Sequence, residues 1–213
     1  MVGVIDYDAG NVKSVMKAVE KLGGEAVLTS DPKVLDQCTS LILPGVGSFG
    51  KAIENLKAKK LDEYIKKAVS RDGKLLLGIC LGMQMLFDTS YEDGTWEGLH
   101  LIPGEVVRFG KANNPDWDEQ NKIPHMGWNR LVENRPDAIG DGLAEGEYAY
   151  FVHSYYAVPE NWEDVVYYAD YSVSVPGVVR KKNVIGMQFH PEKSSETGMK
   201  LLRNFLKAGE KIC

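Results

Sequence analysis

Lys74-Leu-Leu-Leu-Gly-Ile-Cys-Leu-Gly-Met-Gln-Met-Leu-Phe87 carries the strongest strand signal in the chain and runs directly into a helix-like segment. Lys74–Ile79 is a short continuous apolar run, the pattern of a strand buried on both faces, and Leu81–Phe87 reads as helix. Working back from it, the same alternation repeats. Val2–Ile5 is a β-branched run, followed by a turn-rich stretch from Asp6 to Asn11. Val12, Val15, Met16, Val19 and Leu22 then recur at helical spacing until Gly23-Gly24 stops the helix. Ala26–Leu28 and Ser40–Leu43 read as further buried strands. Between Phe49 and Ser70 lies helical material, with Ile53, Leu56, Leu61, Tyr64, Ile65 and Val69 at its apolar positions. Strand, helix, strand, helix, strand implies a parallel sheet covered on both faces.

From about Gly104 the pattern changes. Glu105–Phe109, Gly127–Glu133, Tyr148–Val152, Val165–Tyr171 and Val184–Phe189 follow one another without intervening helices, which predicts antiparallel strands extending or flanking the parallel core. An amphipathic helix around Thr197–Lys207 closes the chain. The stretch Gly110–Asn121 is polar and reads as a surface loop. The expected fold is α/β and three-layered: a mostly parallel central sheet, helices on both faces, and an antiparallel extension. With no internal repeat, low-complexity tract or linker, the 213 residues suit one domain spanning 1–213.

Composition narrows the functional classes. A net charge of −5 argues against nucleic acid as the main partner, since a basic footprint is missing. No apolar run approaches the roughly 20 residues needed to span a bilayer. The three cysteines, Cys38, Cys80 and Cys213, are odd in number and widely spaced, and no secretory leader precedes them, so a disulfide framework is not expected. A cytoplasmic protein fits these features.

The chemistry centres on Gly78-Ile-Cys80-Leu-Gly82. A nucleophile between two glycines, at a strand-to-helix junction, has the form of a nucleophile elbow. The sharp turn lifts the side chain above the sheet edge, and the helix N-terminus favours thiolate over thiol. The N–H of Leu81 is then placed to stabilise an oxyanion. A buried structural cysteine is the competing reading, because free Cys is among the most buried residue types. A thiolate needs a base, and the base an orienting group. His190-Pro-Glu192 ends the strand from Val184 to Phe189, where residues two apart project the same way. The proline is expected to hold the chain extended so that Glu192 bonds the His190 imidazole. A strand-end histidine with an exposed glutamate nearby is the alternative. Of the four histidines only His190 has a carboxylate at this spacing. No metal is expected at Cys80, His190 and Glu192, since no other ligand cluster supports one. Pro44-Gly-Val-Gly47, directly after a strand, offers a second source of oxyanion N–H groups, and lacks the Gly-Lys-Ser/Thr of a phosphate loop.

Asp6-Tyr7, Gly10-Asn11, Pro44-Gly-Val-Gly-Ser-Phe49, Gly78-Ile-Cys-Leu-Gly-Met-Gln84, Ile123-Pro-His-Met-Gly-Trp-Asn129, Tyr150-Phe-Val-His-Ser-Tyr155 and Gln188-Phe-His-Pro-Glu-Lys-Ser194 together resemble the class I (triad) glutamine amidotransferases, across essentially the whole chain. Within that family the likeness is closest to the glutaminase subunits of imidazole glycerol phosphate synthases, in histidine biosynthesis. The resemblance implies a flavodoxin-like fold without cofactor. It further implies that Cys80 forms a γ-glutamyl thioester, that His190 protonates the departing ammonia and then activates water, and that Glu192 holds His190. Val46 or Gly47, with Leu81, would supply the oxyanion hole, while Gln84, His153, Ser154 and Tyr155 would grip the amino-acid end of glutamine. The partner implied is a (β/α)8-barrel cyclase in a heterodimer, with Trp128, Asn129, Tyr150 and Lys193 at the interface. Trp128 as plain core, or a paralogous synthase in another pathway, are the competing readings, and a cysteine hydrolase or peptidase is a third. The loop Gly110–Asn121 is longer than the usual connection at that point, and Cys213 adds an exposed thiol without an assigned role. Glycines on both sides of Val46 would permit a peptide flip, so the oxyanion hole would form only with the partner engaged.

Overall fold

The strands β1 (Val2–Ile5), β2 (Ala26–Thr29), β3 (Ser40–Leu43) and β4 (Leu75–Ile79) lie parallel in the order β2-β1-β3-β4 in the computed structural model, which describes residues 1–210. Cys213 falls outside the described residues. Every residue of β1, β3 and β4 is buried, as their unbroken apolar sequences require, whereas β2 at the sheet edge is only half-buried. Alternate side chains feed two cores. Val4, Ile42, Leu75 and Leu77 meet Val15 and Val19 of helix α1 (Val12–Lys21) on one face. Leu41, Leu43 and Leu76 meet the other face, where helix α2 (Pro32–Asp36), helix α3 (Phe49–Ala58) and helix α4 (Leu61–Ser70) bring Leu35, Ile53, Leu56 and Ile65. The predicted helical stretch from 49 to 70 is thus two helices, because Lys60 takes a left-handed conformation with φ 56° and turns the chain between them.

After a single helical turn α5 (Leu81–Gln84) the chain lays down ten more strands: β5 (Thr89–Ser90), β6 (Trp96–Glu97), β7 (Gly104–Arg108), β8 (His125–Arg130), β9 (Val132–Glu133), β10 (Tyr148–His153), β11 (Tyr155–Pro159), β12 (Val165–Asp170), β13 (Ser174–Lys181) and β14 (Val184–Met187). Four of them extend the main sheet as β4-β14-β13-β12-β9. β14 corrects the expectation of a wholly antiparallel second half. The tight Lys182-Asn183 turn makes it antiparallel to β13, and that returns it parallel to β4. The predicted strand from 127 to 133 divides between β8 and β9, which belong to different sheets. β8 pairs with β10 alone, and β11-β7-β5-β6 forms a third sheet, so these strands flank the core rather than extend it. The last helix, α6 (Ser195–Glu210), lays Leu201, Leu202 and Phe205 beside α1 on the first face. No helix among the described residues is long and apolar enough to cross a membrane.

The loop from 110 to 121 is not merely surface. Trp117 is buried against Phe109 and Tyr171, with ring centroids 5.4 and 5.8 Å apart. Asp118 and Asn121 reach Ser172, pinning the polar remainder of the loop to the β12–β13 turn.

Candidate active site

Parallel strands that end together open a crevice at their carboxyl ends. The register Met187↔Ile79 places the ends of β14 and β4 side by side, so Cys80 and the segment after Met187 emerge at one edge. Cys80 sits at φ 54°, ψ −112°, a conformation few non-glycine residues adopt, and its N–H donates to the Met187 carbonyl at 2.7 Å. Strain of this kind persists only when the surroundings enforce it, and here two glycines permit it. A Cβ on Gly78 would stand 2.6 Å from the Gly82 carbonyl oxygen, and one on Gly82 would overlap the Leu43 carbonyl oxygen. Leu43 is paired in β3 and cannot yield. Gly82→Ala is therefore expected to cost about 3 kcal/mol, or roughly 6–12 °C in Tm. Thermal melts check this, and a variant melting within about 2 °C of wild type would refute the steric reading. Because α5 is one turn, its dipole is small, and the local N–H groups of Leu81 and Gly82 matter more than a macrodipole.

His190 follows β14 in an extended conformation, but the chain does not stay extended. Pro191–Lys193 forms a 3-10 turn, with the Ser194 hydroxyl donating to the His190 carbonyl at 2.8 Å. That turn, rather than strand alternation, brings Glu192 Oε1 to 3.0 Å from His190 Nδ1. The Glu192 side chain is only 3% exposed and also accepts from Asn11 Nδ2 at 3.0 Å. Burial alone would lower the His190 pKa. Hydrogen bonds to Cys80 and Glu192, and their charges, outweigh it and hold the imidazole up at about 9.

A cavity of about 330 Å³ opens over Cys80. It gathers Val46, Gly47, Leu81, Gln84, His153, Ser154, Tyr155, His190 and Lys193, all anticipated from sequence, and adds Glu92 and Val152. Gly47 holds φ 98°, a conformation that suits glycine, and the buried Tyr7 hydroxyl donates to the Pro44 carbonyl at 2.6 Å to anchor the turn. Gln84 Nε2 donates to the Tyr155 carbonyl at 2.9 Å and to Gln188 Oε1 at 3.1 Å. His153 lines the cavity with both ring nitrogens engaged, Nδ1 with the Tyr155 carbonyl at 2.8 Å and Nε2 with His125 at 3.1 Å. A direct side-chain grip on a ligand by His153 is thus ruled out in this arrangement.

Sequence reading missed Glu92, Gln188 and Asn11 as contributors. Glu92 Oε2 accepts from the Phe49 N–H at 2.9 Å, and burial pushes its carboxyl up against that bond. Its only signal is an acid in the turn between two short strands. Gln188 is fully buried, with Nε2 3.9 Å from Cys80 Sγ. Of the four expected interface residues, Trp128 is 53% exposed and stacks edge-on to half-buried Tyr150 at 5.9 Å, and Lys193 is exposed. Asn129 points the other way. Its Nδ2 donates to the Asp170 carbonyl at 3.0 Å, because alternation along β8 turns it to the inner face with His125. Among the described residues no group of three or more His, Cys, Asp or Glu side chains is arranged to hold a metal ion.

A flavodoxin-like sheet order, a cysteine on a strained elbow, and a histidine held by a glutamate over a small cavity define a triad amidase of the glutamine amidotransferase type. Residues 3–208 match the family described as Glutamine amidotransferase class-I, and the chain belongs to that family. It is 50% identical over 206 residues to the Imidazole glycerol phosphate synthase subunit HisH of Geobacillus thermodenitrificans, covering 97% of this chain and 95% of that one. The subunit of the same name from Bacillus subtilis is 50% identical over 207 residues, covering 97% and 96%. Among solved structures, a glutamine amidotransferase superposes with a TM-score of 0.74 at 21% identity, covering 98% of both chains. PurLQS from Thermotoga maritima gives 0.72 at 24% identity and 97% of both. These structural likenesses speak to the fold.

Proposed function

We propose that this chain is the glutaminase subunit of an imidazole glycerol phosphate synthase, a single domain that hydrolyses glutamine and hands ammonia to a cyclase partner. The observation that carries the chemistry is His190, held by Glu192, sharing the wall of an amino-acid-sized cavity with Cys80. The acceptor pathway rests on relatives of that name at about half identity over nearly the whole chain.

Cys80 Sγ attacks the side-chain amide carbon of glutamine with the thiol proton already carried by His190, whose raised pKa keeps it there. The N–H groups of Leu81 and of Val46 or Gly47 receive the oxyanion. His190 returns a proton to the nitrogen, the C–N bond breaks, and ammonia leaves a γ-glutamyl thioester on Cys80. His190 then deprotonates a water that attacks the thioester, releasing glutamate and restoring the thiol. Glu192 holds the tautomer throughout, and Asn11 holds Glu192. At the far end, Gln84 has its amide nitrogen committed to Tyr155 and Gln188, so Oε1 is the atom left to accept from the α-ammonium. The Glu92 carboxylate offers that ammonium a charge partner, and the backbone around Ser154 and Tyr155 completes the grip.

A free nucleophilic thiol is kept reduced in the cytoplasm, where we place the protein. Ammonia released to neutral water is mostly protonated and ceases to be a nucleophile, so the product must be transferred directly. The surface beside the cavity suits a partner. On the outer face of the β8–β10 pair Trp128 opposes Tyr150 and Met126 opposes Val152, with Met126 61% and Trp128 53% exposed, and Val152 itself lines the cavity. A (β/α)8-barrel cyclase seated there, as one half of a heterodimer, would cap the cavity mouth, with Lys193 at the rim. The Gly45-Val46-Gly47 turn then couples hydrolysis to docking through the orientation of one peptide.

The test is glutamate and ammonia release by the chain alone, with the cyclase, and with cyclase plus its ribonucleotide substrate. Slow hydrolysis alone, rising at least about tenfold with the loaded partner, is expected. Equal rates in all three would sink the coupling, and no glutaminase activity in any would sink the assignment.

A further inference from the structure

The hydrogen bonds that immobilise Gln84 and His153 belong to one chain. Asn129 Nδ2 lies 3.2 Å from His125 Nε2, His125 Nδ1 lies 3.1 Å from His153 Nε2, and His153 Nδ1 lies 2.8 Å from the Tyr155 carbonyl oxygen. A carbonyl only accepts, so His153 Nδ1 carries the proton. The neutral ring then presents Nε2 as an acceptor. His125 Nδ1 must donate to it, which leaves His125 Nε2 to accept from Asn129. The orientation of Asn129 is set independently, since Nδ2 donates to the Asp170 carbonyl at 3.0 Å and Oδ1 accepts from the Arg130 N–H at 2.8 Å. Every link therefore has one donor and one acceptor. Burial keeps both rings neutral, bringing His125 down to about 4 and His153 down to about 3.

The chain continues beyond Tyr155. The same carbonyl accepts from Gln84 Nε2, Gln84 also donates to Gln188 Oε1, and Gln188 Nε2 faces the Cys80 sulfur. Its other end is strand β8, where Asn129 lies between the exposed Trp128 and Arg130. Six residues thus connect an exposed strand to the nucleophile through directed polar contacts.

We propose that Asn129, His125 and His153 are positioning residues for glutamine hydrolysis, holding the Tyr155 carbonyl, and through it Gln84 and Gln188, in register with Cys80. This deepens the glutaminase reading and rests on it. A displacement of β8 moves Asn129, and the ordered donors and acceptors pass that displacement to the wall that receives the amino-acid end of glutamine. A pair of histidines serving only to fill the core would satisfy each other without needing Asn129 or a fixed proton order.

His125→Phe separates the two. His125 stacks on Phe151 and Tyr171 at 4.7 and 4.0 Å, so phenylalanine keeps the stack and removes both hydrogen bonds. With the cyclase saturating and active sites counted by alkylation of Cys80, KM for glutamine is expected to rise about tenfold while kcat falls less than about threefold. Asn129→Ala, which leaves the core intact, is expected to raise KM about threefold. In wild type, ring ¹⁵N spectra at neutral pH should show both histidines neutral and protonated on Nδ1. A KM unchanged in both variants, beside a wild type that hydrolyses glutamine, overturns this inference alone. Either ring charged, or protonated on Nε2, overturns it without reference to activity. A wild type inactive with its partner overturns the glutaminase reading itself. Should His125→Phe fail to fold, Asn129→Ala and the spectra decide.

Discussion

Replacing Cys80 by alanine is expected to lower glutamine hydrolysis at least about 10⁴-fold in the presence of the cyclase. The effect is this large because the triad acts as a unit. Without the sulfur there is no thioester, and His190 has no thiol proton to carry. What survives is the oxyanion hole and the substrate grip, which accelerate attack by water only weakly. The fold should persist. Alanine can occupy the strained position with its Cβ, the Cys80 N–H bond to the Met187 carbonyl is a backbone contact, and Glu192 still holds His190. His190 loses the hydrogen bond and charge of Cys80, so its pKa should move down from about 9 toward the ordinary range. Glutamate release under steady state, with a rapid-quench search for a covalent γ-glutamyl species, measures both consequences. Residual activity within about a hundredfold of wild type would show that Cys80 is not the nucleophile.

How much of this was legible in the sequence depends on the range of the interaction. The apolar run into Gly-Ile-Cys-Leu-Gly encodes its own geometry, since a buried strand, a sharp turn and flanking glycines are all local. His190 and Glu192 were found for the same reason, although the local geometry was misread: Pro191 starts a 3-10 turn instead of prolonging the strand. The direction of β14 was not legible, because it depends on the hairpin with β13, not on residues 184–187 themselves. Glu92, Gln188 and Asn11 have no role legible in the sequence for a related reason. Each acquires its role from a partner far along the chain: Phe49, Gln84 and Glu192 respectively. Asn129 illustrates the limit of carrying roles over from a family. Its neighbour Trp128 faces outward as an interface residue would, but a strand alternates, and Asn129 faces inward to His125.

The inward-facing histidines have a thermodynamic consequence that a glutaminase of this fold must live with. Stability is expected to fall steeply as pH drops from about 6.5 toward 4. Both rings are neutral in the fold, with pKa values brought down to about 4 for His125 and about 3 for His153, burial being the main cause. In the unfolded chain they titrate near 6.5. Below that value the unfolded state takes up protons the fold refuses, so each unit of pH removes up to about 2.7 kcal/mol for two such sites. At pH 4.5 the loss approaches about 5 kcal/mol, comparable to the whole stability of a marginal domain. One group opposes the fall: burial raises the Glu92 carboxyl, so the fold takes up that proton first and recovers one site's contribution as pH drops. Half-buried Asp137 loses hydration, but the Ile139 N–H and the Arg180 and Arg135 side chains hold its pKa below the ordinary carboxylate value, so its contribution is lost only at still lower pH. His190 acts at the opposite end. Held up at about 9, it contributes fully below 6.5 and loses its contribution as pH rises through about 9. Urea unfolding from pH 8 to pH 4.5 measures the profile, and His125→Phe should halve the acid slope by removing one of the two sites. A stability flat to within about 1 kcal/mol between pH 7 and 4.5 would mean that the rings accept protons in the folded state. The proton order that links Asn129 to the Tyr155 carbonyl would then fail with it, because a charged His125 or His153 has no lone pair to receive the next donor.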